Sequence, residues 1–164
     1  QLRGPTFVAA VAAARGATGL DARNLGLEVT ETAVMANPAG AQQAGQALRN
    51  LGVRLSIDDF GTGYASLTYL RRLHASELKI DRSFVDGLGQ ELDDTTIVTA
   101  VIGLAHAMGL SVTAEGVETA EQLLLFRDMG CQKAQGYLMC RPVPASELLP
   151  AVARRLRPAD LVGA

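Results

Sequence analysis

Five carboxylates, two of them adjacent, and a lysine stand where short apolar runs of this chain give way to polar loops. Glu28 interrupts the run 25–30, Asp58 and Asp59 end the run 53–58, Lys79 and Asp81 lie in 77–81, and Glu115 closes 110–115. Gln135 holds the matching place in 131–137, while Glu31 and Glu118 follow three residues after Glu28 and Glu115. A polar group at such a position costs several kcal/mol if it is buried without a partner. Carboxylates that converge without matching cations repel one another, and their pKa values rise unless a cation sits among them. Hard divalent cations such as Mg²⁺ and Mn²⁺ take oxygen ligands of this kind. An adjacent Asp pair lets one carboxylate bridge two metals while its neighbour binds one. Two metals ~3.5–4 Å apart clamp an in-line phosphoryl displacement. Lys79 then holds the attacking water or neutralises phosphate charge. The chemistry indicated is metal-assisted hydrolysis of a phosphodiester or phosphomonoester.

Each residue taken singly has a plainer reading. Asp58-Asp59 ahead of Phe60-Gly61-Thr62-Gly63 caps a turn as readily as it binds a metal. Gly61 and Gly63 form only a G-x-G, which more often marks a tight or mobile loop than a phosphate cradle. Lys79 suits a Schiff base, or an ion pair with Asp81. Glu118 favours the N-terminus of the helix that follows it, and Glu31 does the same for the turn after the first strand. His74 and His106 fall on helices, away from strand ends, and read as structural; Arg71-Arg72 reads as a solvated helix face. The weight of the functional reading comes from repetition along successive strands.

The elements that must position these groups alternate. Residues 7–15 are alanine-rich and read as a helix. Five strands are expected at 25–30, 53–58, 77–81, 110–115 and 131–137. Asn37-Pro38 supplies an N-cap and a first-turn proline for a helix to about Asn50, with Gly52 at its exit. Further helices are expected at 66–73, from Asp93 or Asp94 to about Met108, from Thr119 to near Gly130, and at 145–156. Thr119 and Gln122 have capping-box spacing. Strand–helix repetition with short connections means βα units around a parallel sheet, with right-handed crossovers. Five such units make either an open doubly wound sheet or five-eighths of a (β/α)8 barrel, which typically needs ~250 residues.

The bulk properties narrow the partners. With 164 residues the chain has the size of one domain, and 48% apolar residues suffice for a core. A net charge of −2 argues against DNA, RNA or an anionic membrane surface as partner. Cys131 and Cys140 have neither metal-ligand spacing nor the density of a disulfide scaffold, and read as reduced thiols of a cytoplasmic protein. The most apolar run, 97–110, contains His106 and two glycines and falls short of the ~20 residues of a membrane span. No secretory leader is visible in the sequence as given.

Together, LEVTE (27–31), IDDFGTGYASL (57–67), LKID (78–81), AEGVET (114–119), AQGY (134–137) and RPVP (141–144) resemble the EAL-domain family in order and spacing. Members of that family are cyclic di-GMP-specific phosphodiesterases of bacterial signalling. The resemblance implies a TIM-like (β/α)8 barrel of EAL type with one antiparallel strand, and two divalent metals, Mg²⁺ or Mn²⁺, at its C-terminal mouth. It implies that Glu28 binds the first metal, Asp58 bridges both, and Asp59 and Glu115 bind the second. Lys79 corresponds to the lysine that positions the attacking water, and Gln135 to the glutamine that supports it. Glu31 and Glu118 correspond to carboxylates behind the ligands, and Glu31 is tied to the order of the loop Phe60, Gly61, Thr62, Gly63, Tyr64. That loop and the helix after it form the family's homodimer contact. The reaction implied opens cyclic di-GMP to linear pGpG by in-line attack of water.

The Glu-Ala-Leu block that names the family, and the Asn on its following strand, have no counterpart in these residues. The expected arrangement is therefore a partial EAL domain over 1–156, an incomplete barrel of about five βα units lacking its N-terminal third, and a C-terminal tail over 157–164. The polypeptide is expected to hydrolyse little by itself. A non-catalytic cyclic di-GMP receptor and a protein-interaction module are the alternative functions.

Overall fold

A computed structural model describes residues 5–61, 67–88 and 92–155. Helix α1 (Pro5–Thr18) leads through a short 3-10 turn (Ala22–Asn24) into β1 (Gly26–Thr30), α2 (Glu31–Ala36) and α3 (Pro38–Asn50). β2 (Arg54–Phe60), α4 (Leu67–Arg72), β3 (Glu77–Ile80) and α5 (Arg82–Asp86) follow. The chain continues with α6 (Leu92–Ala107), β4 (Ser111–Ala114), α7 (Ala120–Asp128), β5 (Lys133–Ala134) and α8 (Ala145–Arg155). Thr62, Gly63 and Tyr64, and the tail 157–164, lie outside the described residues.

The caps read from sequence are present. The Asn37 side chain accepts from the Gly40 N–H, Pro38 fills the first turn of α3, and Gly52 leaves it at φ +79. Only a residue without Cβ adopts that φ at little cost. Thr119 and Gln122 form the reciprocal capping box of α7, which fixes where the chain turns from β4 into the helix.

All five strands are parallel, in the order β1-β2-β3-β4-β5. A doubly wound sheet reverses its strand order at a switch point; this one never does. Right-handed crossovers in a monotonic order put every helix on the same side, so the sheet is an arc of a barrel, unclosed among the described residues. Its helix-facing side is continuous: Leu55, Ile57, Leu78, Ile80, Val112 and Ala114 are buried in one cluster with Leu48 of α3, Val98 and Ile102 of α6 and Phe126 of α7. Full burial of each large side chain contributes about 1.5–3 kcal/mol. The opposite side is polar. Glu28 is in register with Ser56, Ser56 with Glu77, and Glu77 with Ser111, while Lys79 pairs with Thr113 and Thr113 with Lys133.

Three local expectations are corrected. The fifth strand, expected at 131–137, forms ladder pairs only at Lys133 and Ala134. The Gln132 side chain, not a strand carbonyl, accepts the Val112 N–H at 2.7 Å, and the Met139 N–H bonds back to the Gly136 carbonyl, turning the chain. The second strand continues past Asp58 to Phe60. The short helices α2 and α5 stand where no element was expected. Thr30 caps α2, and Asp81 caps α5 by accepting from the Ser83 N–H.

Candidate active site

Regular strand geometry sends successive side chains to opposite faces, so Asp58 and Asp59 would part. They do not, because β2 carries an irregularity. The β2–β3 register shifts between Ile57 and Phe60, and Asp59 takes a left-handed conformation at φ +53. A bulge of this kind re-aims a side chain, and Asp tolerates the left-handed region better than most residues. The outcome is that oxygens of Asp58, Asp59 and Glu115 all lie within 4.8 Å of one another.

Lys79 stands among the carboxylates. Its side chain is 7% exposed, and Nζ lies 2.5 Å from Glu115 Oε1, 2.9 Å from Glu28 Oε2 and 3.0 Å from Asp58 Oδ1. Burial pulls the ammonium pKa down, but the hydrogen bonds it donates to Glu115, Glu28 and Asp58 outweigh this and hold the group charged well above its ordinary range. Asp81 is not its partner; that carboxylate caps α5. Burial also pushes the Glu115 carboxyl up against the opposing pull of Lys79, with Asp58 and Glu28 adding to the rise. Asp59 is raised by burial and then by the charges of Asp58 and Asp81. One ammonium thus leaves the group short of positive charge. The donor set is all hard oxygen, which fits Mg²⁺ or Mn²⁺.

The remaining predicted residues surround this centre. Gln135 donates to Glu115 Oε1 at 2.7 Å. Glu31, 2% exposed in the first turn of α2, accepts the Gly61 N–H at 3.1 Å, at the start of the loop after β2. Phe60 is buried against β3. Glu118 does not join the carboxylates; it pairs with Arg82 at 2.9 Å. His74, expected on a helix, instead lies in the turn after α4 at φ +60, beside Arg49; His106 lies on α6 beside Gln132, and Arg71 and Arg72 are exposed. Cys131 and Cys140 are unbridged. Beside Gln135 opens a cleft of ≈ 550 Å³ lined by residues that include Arg82, Tyr137, Arg141 and Pro142, with the Arg141 guanidinium 4.4 Å from the Tyr137 ring centroid.

A family model for the EAL domain matches residues 1–142. The chain belongs to the EAL-domain family. Among curated relatives, the bifunctional diguanylate cyclase/cyclic di-GMP phosphodiesterase MucR of Pseudomonas aeruginosa is 47% identical over 134 residues, covering 82% of this chain and 20% of the relative. The cyclic di-GMP phosphodiesterase NbdA of the same organism is 50% identical over 130 residues, covering 79% of this chain and 17% of the relative. The chain thus spans about a fifth of the length of these curated relatives. The P. aeruginosa MucR phosphodiesterase in complex with c-di-GMP superposes with TM-score 0.86 at 43% identity, over 90% of this chain and 60% of that one. The Klebsiella pneumoniae BlrP1 manganese/cy-diGMP complex superposes with TM-score 0.78 at 34% identity, over 85% and 36%.

The EAL assignment identifies the five-stranded arc as part of a TIM-type barrel. Sequence reasoning passed over two charged groups, one around Arg82 and one around Glu77. Arg82 holds Glu118 and, at 3.2 Å, Asp86; its i,i+4 spacing to Asp86 was the available signal. On β3, Glu77 accepts from Thr113 at 2.5 Å and from Lys133 at 2.9 Å. Those partners sit on separate strands, and no local pattern announces them.

Proposed function

We propose that this chain carries part of the active centre of a metal-dependent phosphodiesterase that hydrolyses cyclic di-GMP to linear pGpG. The observation that carries the reading is Lys79 held simultaneously by Glu28, Asp58 and Glu115. An ammonium fixed at the centre of a carboxylate ring on a polar barrel face has a place from which to orient water toward a phosphodiester. Asp58, Asp59 and Glu115 would hold one divalent ion, and Glu28 with Asp58 would contribute to a second, the ions being Mg²⁺ or Mn²⁺. Bound there, the ions supply Lewis acidity toward the phosphoryl oxygens.

The chain's own residues do the rest. Lys79, whose three N–H groups are held by Glu28, Asp58 and Glu115, would turn one of them to the attacking water and neutralise charge that develops on the phosphate. Gln135 fixes the rotamer of Glu115, which keeps both that carboxylate and Lys79 in place. Glu31 secures the backbone just beyond the Asp pair through the Gly61 N–H. Tyr137 and Arg141 in the adjoining cleft offer stacking surfaces to a nucleobase.

The setting proposed is bacterial second-messenger signalling in the cytoplasm, as a homodimer joined through the loop after β2 and α4. No helix among the described residues is long and apolar enough to cross a membrane. The 164-residue polypeptide alone is expected to be nearly inactive, since the Glu and Asn that the EAL pattern adds to the first metal are not among its residues. Incubation with cyclic di-GMP and Mn²⁺, with chromatography of the products, tests both parts. Turnover to pGpG is expected from a longer protein containing this segment together with an EAL block. Rapid pGpG formation by the 164-residue chain would overturn the inactivity, and no turnover by the longer protein would overturn the enzyme.

A further inference from the structure

The bulge that turns Asp59 toward Asp58 works against two forces. Asp59 occupies a backbone region that L-residues disfavour, and it faces like charge from Asp58. A regular strand would relieve both, so neighbouring groups must hold the irregular path. Its exit is Gly61, at φ +102. One restraint is the buried Glu31 carboxylate, which accepts the Gly61 N–H. The second comes from α5. A Cβ built on Gly61 would lie 2.6 Å from Cε2 and 2.8 Å from Cζ of Phe84. The aromatic ring therefore occupies the space that a side chain at position 61 would fill.

Phe84 is well placed to act as a stop. It is packed against the core cluster. Its short helix is capped at one end by Asp81, with the Ser83 hydroxyl 2.6 Å from the Asp81 carboxylate. The other end is tied to α7 by the Gln122 amide, which donates to the Val85 carbonyl at 3.2 Å. A ring fixed this way resists displacement of Gly61 toward α5.

We propose that Phe84 is a positioning residue for the Asp58–Asp59 pair, bracing Gly61 so that the bulge holds both carboxylates beside Glu115. The metal part of this inference rests on the reading given under Proposed function; the backbone part does not. Phe84→Leu keeps an apolar side chain and removes the flat ring, whereas Phe84→Tyr keeps the ring. Two measurements on the 164-residue chain decide the matter: amide hydrogen exchange at Gly61 relative to Leu78 of the central strand, without metal, and Mn²⁺ titration by calorimetry.

In Phe84→Leu, Gly61 exchange is expected to quicken about tenfold relative to Leu78 as the local opening becomes easier. Mn²⁺ affinity is expected to fall about tenfold, the lower end of what loss of a ligand-orienting group costs. Phe84→Tyr should match the parent in both. Unchanged Gly61 exchange in Phe84→Leu overturns the proposal, as does faster exchange with unchanged Mn²⁺ affinity. A parent chain that takes up no Mn²⁺ overturns the metal reading, while the exchange ratio still decides the brace. If Phe84→Leu fails to fold, Phe84→Met is read by the same criteria.

Discussion

Lys79 Nζ and Glu115 Oε1 face each other at 2.5 Å, from β3 and from the residue that follows β4. This contact closes a ring in which one ammonium serves three carboxylates. Lys79→Met keeps the apolar stem and leaves those carboxylates facing one another. Breaking a buried ion pair from one side costs about 3–5 kcal/mol, so the variant should melt markedly lower in EDTA. Mn²⁺ should raise its melting temperature more than it raises that of the parent, by replacing the missing charge. Equal Mn²⁺ shifts in both proteins would show that Lys79 and the metal do not share this cluster.

Asp58 is the proposed bridge between metals, so its charge matters more than its shape. Asp58→Asn keeps the volume and removes the charge. In a longer protein with an EAL block, turnover of cyclic di-GMP should fall at least about a hundredfold, the scale on which loss of one preorganised electrostatic group acts. Retained turnover would contradict the bridging role.

Glu77 lies two residues before Lys79 on β3 and carries a pH signature of its own. Burial pushes its carboxyl up, but Thr113 and Lys133 more than reverse this and hold it below the ordinary value of 4.5. A depressed folded pKa means that the unfolded chain binds more protons, so this stabilisation is present above pH 4.5 and fades as pH falls toward the folded pKa. Asp59 and Glu115, raised in the fold, act in the opposite sense and drop out of a difference measurement. Urea midpoints from pH 3 to pH 7 should separate parent and Glu77→Gln most at the upper end and converge as pH falls. A constant gap would mean that the Lys133 and Thr113 contacts do not depend on the Glu77 charge.

Gly45 tests the fold where helix α3 meets the segment after α4. Replacing glycine by alanine inside a helix ordinarily stabilises by roughly 0.5–1 kcal/mol. Here a Cβ would lie 2.1 Å from the Leu73 carbonyl oxygen, which is backbone and cannot rotate away. Overpacking of this kind costs about 1–3 kcal/mol or more, so the clash prevails. Gly45→Ala should be net destabilising by about 2 kcal/mol in chemical denaturation. A stabilised variant would show that α3 does not approach Leu73 this closely.

Much of this protein was legible in its sequence because the deciding physics is local. The Asn37-Pro38 cap, the Thr119/Gln122 box, the alternation of strands with helices, and the carboxylates at successive strand ends depend on residues within one or two turns of each other. The segment boundaries read from them stand to within a few residues, apart from the fifth strand, the run of the second strand on to Phe60, and two short helices. The fifth strand failed because its ladder ends where the Gln132 side chain replaces a backbone partner, a substitution that no periodicity reveals.

What the tertiary structure decided concerns groups far apart in the chain. The monotonic strand order distinguished a barrel arc from a doubly wound sheet, because both share the same βα alternation and differ only in which strands pair. Asp58 and Asp59 were visible as neighbours, but strand geometry alone would have sent them to opposite faces. Only the register shift against β3 and the left-handed turn at Asp59 bring them together. Lys79 had Asp81 within sequence reach and took Glu28, Asp58 and Glu115 instead, since alternation and parallel register put those three at the same end of the sheet. Residue types specify which chemistry is available here. Which groups share a charge is settled by the pairing of strands.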